Sequence, residues 1–447
     1  MRKTNILIIG GSAAGATAAL TARRHYPEKE VVLVRQEKLV SIPCGIPYVF
    51  GTIGSPAKNL IPDALLEKEG VKIAVETVES LDLARQAVRT SAREFSYERL
   101  ILATGSVPAR LPVPGIDQDG IFPIFKDVAH LEALQKRLQT TTQVVVIGGG
   151  FIGIEFADEI QKLGGKTVTV LEITPHCLGL SYDEEFCVEM EAALRTRGVH
   201  LRTGVKVAEI RGDKRAEAVR LADGTDIPAE VVILAVGAVP NVELARAAGL
   251  KLGPTGAIAV DRAMETSHEH VFACGDCAEK ISFFKGRPSA LRLASIAALE
   301  ARIAGANVYG IRREHDGIVG VWATAVGDLA LGTAGLTETA ARHNGYDFIT
   351  SVIEGPNRHP GGMPGSTMTK LKLVFERRTG ELLGGQVRGD GEAGEMINLV
   401  SACIQKRMTA EDIVLFQLGT HPALTASPVV YHLVNAAEMA IARMGRH

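Results

Sequence analysis

Twice in 447 residues the sequence runs from an apolar strand through a glycine-rich turn into a helix and out to a second strand. The first such start is at Asn5 and the second at Gln143, and together they predict an α/β fold with two Rossmann-like domains. Beyond Val321 the pattern changes to short alternating strands, among them Val321–Leu331, Thr367–Phe375 and Glu381–Gln386, which predict a third, α+β C-terminal domain. A chain of this length with 46% hydrophobic content can bury about three such cores.

The first start reads Asn5-Ile-Leu-Ile-Ile-Gly10-Gly11-Ser12-Ala13-Ala14-Gly15, then an Ala-rich helix over 16–25 and a strand over 30–34. Gly10 makes the tight turn and Gly15 lets the helix pack on the strand, so the order is that of a dinucleotide site. Ser12 stands where the usual second glycine admits pyrophosphate, and is small enough to be tolerated. The acid expected about 20 residues on, to bind ribose hydroxyls, is replaced by Arg35, followed by Gln36 and Glu37; Glu37 is the nearest candidate to take its place.

The second start is more regular: Gln143-Val-Val-Val-Ile-Gly148-Gly-Gly150-Phe151-Ile152-Gly153-Ile-Glu155, a helix to Leu163, and a strand from Lys166 that ends in Glu172. All three glycines are present. Glu172 lies where a carboxylate accepts both ribose hydroxyls of NAD and repels a 2'-phosphate, which favours NADH over NADPH. One glycine turn before a helix is a weak signal. Two, each in strand-turn-helix-strand context about one domain apart, are a strong one.

Composition narrows the remaining classes. A formal charge of -2, from 49 basic and 51 acidic residues, offers no face for nucleic acid. The longest apolar tract, Ile318–Ala334, is interrupted by Gly320, Gly327, Asp328 and Gly332, so no membrane span is expected. The chain enters a strand almost at once, without a leader pattern, and its six dispersed cysteines fit a reducing compartment, so a cytoplasmic protein is expected.

Of those cysteines, Cys44 sits in Ser41-Ile-Pro43-Cys44-Gly-Ile-Pro-Tyr-Val-Phe-Gly51, a glycine-proline turn after a strand. Placed at the mouth of a helix, its thiol would feel unpaired N–H groups and the positive dipole end, which favours the reactive thiolate. A single cysteine is otherwise more often an inert core residue.

The two fingerprints, together with Ala103-Thr104-Gly105-Ser106-Val107-Pro108, Ala235-Val-Gly237-Ala-Val-Pro-Asn241 and Val271-Phe-Ala-Cys274-Gly-Asp276-Cys277, resemble the FAD- and pyridine nucleotide-dependent disulfide reductases over essentially the whole chain. The resemblance implies an FAD-binding domain over 1–112 and 243–320, an NAD-binding domain over 113–242 and a C-terminal dimerisation domain over 321–447. It implies FAD contacts from the first fingerprint (Gly10 to Gly15), Arg35, Gln36, Glu37, Pro43, Thr104, Gly105, Asp276 and Ala294, the last on a helix read as Leu291–Ala304. It likewise implies NADH contacts from Gly148, Gly150, Phe151, Ile152, Gly153, Glu155, Glu172 and Gly237. Cys274 and Cys277 match the flavin element around Asp276 and are read as packing residues.

Within that family Ser-Ile-Pro-Cys-Gly-Ile-Pro-Tyr is similar to the single-cysteine branch of coenzyme A-disulfide reductases, NADH oxidases and peroxidases, and persulfide or polysulfide reductases. No second cysteine follows at short spacing, so Cys44 would cycle through a mixed disulfide, persulfide or sulfenic acid. Ala13 replaces the histidine that handles peroxide protons in the peroxidases and oxidases. Tyr431 is the one tyrosine beyond Tyr346, which disfavours coenzyme A disulfide as the main substrate. Thr420-His421-Pro422 is similar to the His-Pro element that supplies an acid–base histidine, although Ala426 takes the place of its acidic partner; His359, also before proline, has the weaker case. The resemblance implies a homodimer, with the C-terminal domain of one protomer over Cys44 of the other. The expected activity is NADH-dependent, FAD-mediated reduction of a small sulfur substrate, a persulfide, polysulfide or coenzyme A derivative. An NADH oxidase and an electron donor to a protein acceptor are the alternatives.

Overall fold

The computed structural model describes residues 1–310 and 312–445, which form two compact units. The first comprises residues 1–112, 120–141 and 236–318; the second comprises residues 113–119, 142–235 and the chain from 319 onward.

In the first unit strand Arg2–Ile9 is central, with Val31–Arg35 and then Lys72–Val75 parallel to it on one side and Glu94–Leu102 parallel on the other. Val271–Ala273 returns from far along the chain to pair in parallel with the last residues of Glu94–Leu102, while the start of that strand pairs antiparallel with Ala87–Thr90. Ile6, Leu7, Ile8, Val31, Val32 and Leu33 have no exposed surface, so this core has no solvated face and needs helices on both sides. Helix Ala13–His25 supplies one of them, and its buried alanines let helix Ala294–Asn307 approach closely. A Cβ on Gly305 would lie 2.6 Å from the Ala18 carbonyl oxygen. The second helix starts three residues later than the sequence pattern predicts because Leu293 is extended, at φ -133° and ψ 142°.

Residues 120–141, which the sequence reading places in the second domain, cluster with the first unit. Gln135 Nε2 donates to the carbonyls of Val49 and Gly54 at 3.3 and 3.0 Å, and Lys126 Nζ reaches Asp276 Oδ2 at 3.3 Å.

In the second unit His200–Arg202, Thr167–Leu171, Gln143–Ile147 and Val231–Leu234 run parallel in that order. Its C-terminal part is an antiparallel sheet in the order Val321–Val326, Leu329–Gly335, Leu382–Gly389, Met368–Glu376, Phe348–Pro356. Helix Ala393–Gln405 packs on the first three of these strands and helix His432–Met444 on the last two. Phe348–Pro356 escapes the sequence reading because Ser351 and Gly355 blur its alternation; its register comes from nine residue pairs with Met368–Glu376.

A buried ionic cluster joins the helix Glu184–Thr196 to this sheet. The Lys372 ammonium, 5% exposed, meets Asp183 Oδ2 at 3.0 Å, Glu185 Oε1 at 2.5 Å and Glu338 Oε1 at 3.1 Å. Gln386, fully buried, donates to Asp183 Oδ2 at 2.5 Å and accepts the Asp183 N–H at 2.7 Å. Burial disfavours the charge on Lys372, but the carboxylates outweigh it and raise its pKa above the usual lysine value. Lys372→Met would leave Asp183 buried without its cation. It is expected to cost about 3 kcal/mol in urea unfolding, with a shifted midpoint and an unchanged slope.

Candidate active site

The first glycine turn is closed by backbone contact. Gly10 has φ +111° and donates its N–H to Val34 O at 2.8 Å. A Cβ there would lie 2.1 Å from Ala103 O, and one on Gly15 would lie 1.9 Å from Gly10 O. Ser12 is the extended N-cap of the following helix and makes no side-chain cap bond, so the first-turn N–H groups receive no acceptor from it; Ala13 is half-buried and Ala14 buried. Gly11 closes the floor, where a Cβ would lie 2.4 Å from Arg35 Cδ. This cradle, open only to a group that brings its own acceptors, fits a dinucleotide pyrophosphate.

Arg35 is 3% exposed and committed elsewhere: its guanidinium grips both Asp63 oxygens at 2.6 Å, and its Nε donates to Glu37 O at 2.8 Å. A paired cation thus fills the usual place of the acid, with Gln36 exposed and Glu37 half-buried beside it. The sequence reading missed Asp63, which no local spacing marks.

The Gly275–Cys277 turn is carried up to the first helix by close packing. Gly275 has φ +78°, and a Cβ on it would lie 2.7 Å from Ala14 Cβ and 3.6 Å from Ala297 Cβ, three residues after Ala294. Asp276 Oδ2 accepts Ser106 Oγ at 2.7 Å and Lys126 Nζ at 3.3 Å. Burial opposes ionisation of Asp276, but Lys126 and Ser106 outweigh it and hold the carboxyl below its usual range. Thr104 Oγ1 donates to Asn241 O at 2.6 Å and the Asn241 N–H donates to Gly105 O at 2.9 Å, which brackets the crossover between chain segments. Gly237, grouped by sequence with the second fingerprint, lies in this first unit and accepts Ala109 N–H at 2.9 Å.

Cys44 is exposed on a 3-10 turn, Pro43–Gly45, followed by a second, Pro47–Val49. The α-helix mouth expected there is absent. Pro47 has no N–H to close an α-helical bond onto Pro43, so the chain turns tightly twice instead. Asn59, 3% exposed, pins the turn: its Nδ2 donates to Ile42 O at 2.9 Å, and a Cβ on Gly45 would lie 2.0 Å from its Oδ1. Asn59 is a positioning residue that the sequence does not announce, 15 residues downstream of the cysteine it serves.

The other five cysteines are buried. Burial pushes the Cys177 and Cys187 thiols up to about 12 and that of Cys403 up to about 11, and raises Cys274 and Cys277 as well. The reading of Cys274 and Cys277 as packing residues agrees with their complete burial.

In the second unit a Cβ on Gly153 would lie 1.9 Å from Gly148 O, repeating the first turn. Gly150 is the extended N-cap of helix Phe151–Gln161, with Ile152 partly exposed in its first turn. Glu172 is 9% exposed; its Oε2 accepts the Gly149 N–H at 2.6 Å, and its Oε1 accepts Thr174 N–H and Oγ1 at 2.7 and 2.8 Å. The loop beyond folds back on the turn: Leu178 N–H donates to Gly149 O at 2.9 Å, and Cys177 Sγ lies 2.8 Å from where a Gly149 Cβ would be. Glu155 is buried and accepts Thr324 Oγ1 at 2.8 Å; burial pushes its carboxyl up to about 7, with the Thr324 bond pulling it back.

The two His-Pro elements meet in the C-terminal part, where His359 N–H donates to Pro422 O at 3.1 Å. His421 is exposed and its Nδ1 accepts the Ala423 N–H at 3.2 Å, so the neutral ring carries its proton on Nε2 and presents a donor. His359 has the opposite tautomer, because its Nδ1 must donate to Thr425 O at 3.1 Å. Among the described residues no group of three or more His, Cys, Asp or Glu is arranged to hold a metal ion, and no helix is long and apolar enough to cross a membrane.

Two glycine-turn units and a separate antiparallel sheet define a flavin- and nicotinamide-dependent oxidoreductase. The chain belongs to the pyridine nucleotide-disulphide oxidoreductases: that family's model matches residues 4–301, and its dimerisation-domain model matches residues 321–430. It is 34% identical over 428 residues to the NAD(P)H coenzyme A polysulfide/persulfide reductase of Pyrococcus horikoshii, covering 94% of this chain and 95% of the relative. The NADH oxidase of Methanocaldococcus jannaschii is 30% identical over 98% of this chain and 99% of its own. The solved structure of an NAD-dependent persulfide reductase from A. fulgidus superposes with a TM-score of 0.92 at 30% identity, over 99% of this chain and 84% of that one. Members of the family draw electrons from NAD(P)H through FAD, and this protein is an oxidoreductase of that kind.

The burial of the thiols sets a direct expectation. Native protein treated with iodoacetamide at pH 8 should gain one carbamidomethyl group by mass spectrometry, on Cys44, and Cys44→Ser should gain none. Rapid modification of a second cysteine would contradict the burial described above.

Proposed function

We propose that the protein is an NADH-dependent reductase of sulfur–sulfur bonds in low-molecular-weight persulfides, polysulfides or coenzyme A-type disulfides, with Cys44 meeting the substrate. The observation that carries this reading is the exposure of Cys44 on a pinned turn while the other five cysteines are buried. The names of the P. horikoshii and A. fulgidus relatives support the sulfur chemistry.

When bound, FAD relays two electrons from the nicotinamide to the thiol. Gly10 to Gly15, Thr104, Gly105, Asp276 and the start of helix Ala294–Asn307 would hold it, and Pro43 would lie beside it in the Cys44 turn. Gly148, Gly150, Phe151, Ile152, Gly153, Glu155 and Glu172 would hold NADH. With a persulfide, the Cys44 thiolate attacks the sulfane sulfur; a bond forms to Sγ, the substrate's S–S bond breaks, and the thiol part leaves as thiolate. His421, whose ring presents a donor at Nε2, would give its proton to such a leaving group. Two electrons then cleave the Cys44 persulfide to thiolate and hydrosulfide. Overall, NADH, a proton and a persulfide give NAD+, a thiol and hydrogen sulfide. A homodimer, supported by the dimerisation-domain match, completes the reading, with the C-terminal domain of one protomer covering Cys44 of the other and the protein in the cytoplasm.

The kinship with an NADH oxidase keeps oxygen as a second acceptor. Anaerobic NADH oxidation measured with polysulfide, coenzyme A persulfide, coenzyme A disulfide and oxidised glutathione, beside a separate rate with oxygen, decides between them. Sulfane substrates should give the highest rate, and Cys44→Ser should lower it by about 100-fold or more. Wild-type sulfane reduction by Cys44→Ser would sink the proposal.

Donor choice is tested separately. The buried Glu172 carboxylate would repel a 2'-phosphate, so kcat/KM for NADH should exceed that for NADPH by about tenfold or more. Equal values would remove Glu172 from the role given to it.

A further inference from the structure

Below the turn that carries Asp276 lies an ion pair with no access to solvent. The side chains of Lys280 and Glu300 are 2% and 0% exposed and meet at 3.0 Å. Lys280 Nζ uses its three protons on Glu300 Oε2, on Gly275 O at 2.7 Å and on Ala278 O at 3.1 Å. Glu300 Oε2 also accepts the Gly275 N–H at 2.8 Å, while its Oε1, equally buried, has no hydrogen-bond partner. The pair therefore grips both peptide groups of Gly275, one from each side.

A buried ion pair is a poor way to stabilise a core, since apolar residues of similar volume do as well or better. Glu300 shows the strain of the arrangement, for burial pushes its carboxyl up to about 7 despite the adjacent ammonium. What apolar residues would not do is fix the orientation of a glycine peptide. Gly275 has φ +78° and no side chain of its own to hold it, and it sits directly before Asp276. Lys280 lies on the short strand after the turn and Glu300 on the helix that begins at Ala294, so the pair ties turn and helix in one register.

We propose that Lys280 and Glu300 are positioning residues for the flavin: by clamping Gly275 they hold the Gly275–Asp276 turn in the one backbone form that takes the cofactor. This rests on the reading that Asp276 meets FAD, and is independent of which acceptor is reduced.

The test is FAD release from the holoenzyme on dilution, followed by the rise in flavin fluorescence, with visible circular dichroism of the bound flavin and thermal unfolding recorded on each variant. Glu300→Gln keeps an acceptor for Gly275 and should release FAD within about threefold of the wild-type rate, whereas Glu300→Met should release it about tenfold faster or more and change the flavin dichroism. If Glu300→Met does not fold, Lys280→Met, which removes the donors to Gly275 O and Ala278 O, carries the same expectation. Equal release from Glu300→Gln and its Met counterpart would overturn the proposal, whatever their melting temperatures. Asp276→Ala serves as the reference: release at the wild-type rate there overturns the placing of the turn and the proposal with it. Faster release there beside unchanged release from Glu300→Met and Lys280→Met overturns the proposal alone.

Discussion

Each unit depends on one contact that only glycine permits, the near touching of a helix backbone and the turn that precedes it. In both units a side chain at the last glycine of the fingerprint would begin 1.9 Å from a carbonyl oxygen of the first. Because that distance cannot be opened without moving the helix off the sheet, the helix N-terminus is fixed above the carboxyl ends of the parallel strands. The other parts take their places from this. Gly275 can reach Ala14, and so bring Asp276 to the first helix, only because that helix is already pressed down. Glu172 can reach the Gly149 N–H only because the second turn is equally tight.

The thiols show how a fold divides one residue type into two populations. Five cysteines sit where ionisation would require a charge in a dry interior, and burial raises their pKa values so that the thiols stay protonated. Cys44 escapes because two prolines four residues apart break the segment into two short turns, of which the first, held by Asn59, is unburied while the second buries Pro47 and Val49. Burial thus separates the other five from Cys44, the exposed thiol.

What could be read from the sequence was what short spacing encodes. The glycines, the strand before each fingerprint and the helix after it are local, and the alternation of Val321–Leu331 marked two strands of the C-terminal sheet. What could not be read depends on partners supplied by the fold from a distance. Arg35 looked like a defect in a ribose site until Asp63 appeared beside it. Lys280 and Glu300, 20 residues apart, are unremarkable charges in sequence and become a pair only when the helix from Ala294 folds over the turn. The two His-Pro elements share a dipeptide, yet their tautomers are opposite, because one ring faces a backbone N–H and the other a carbonyl. Pro43 and Pro47 did carry a legible warning against an α-helix at Cys44, since proline at the fourth position removes the bond that would propagate it.

Glu172 holds the Gly149 N–H and the two donors of Thr174 with the same carboxylate that we propose reads the donor's ribose. On that proposal recognition and scaffolding share one side chain. For protein engineering this makes cofactor exchange a two-part problem: removing the carboxylate to admit a phosphate also strips the turn of its acceptor. A redesign aimed at the other nicotinamide cofactor would have to rebuild the loop from Ile173 to Leu178 together with the charge.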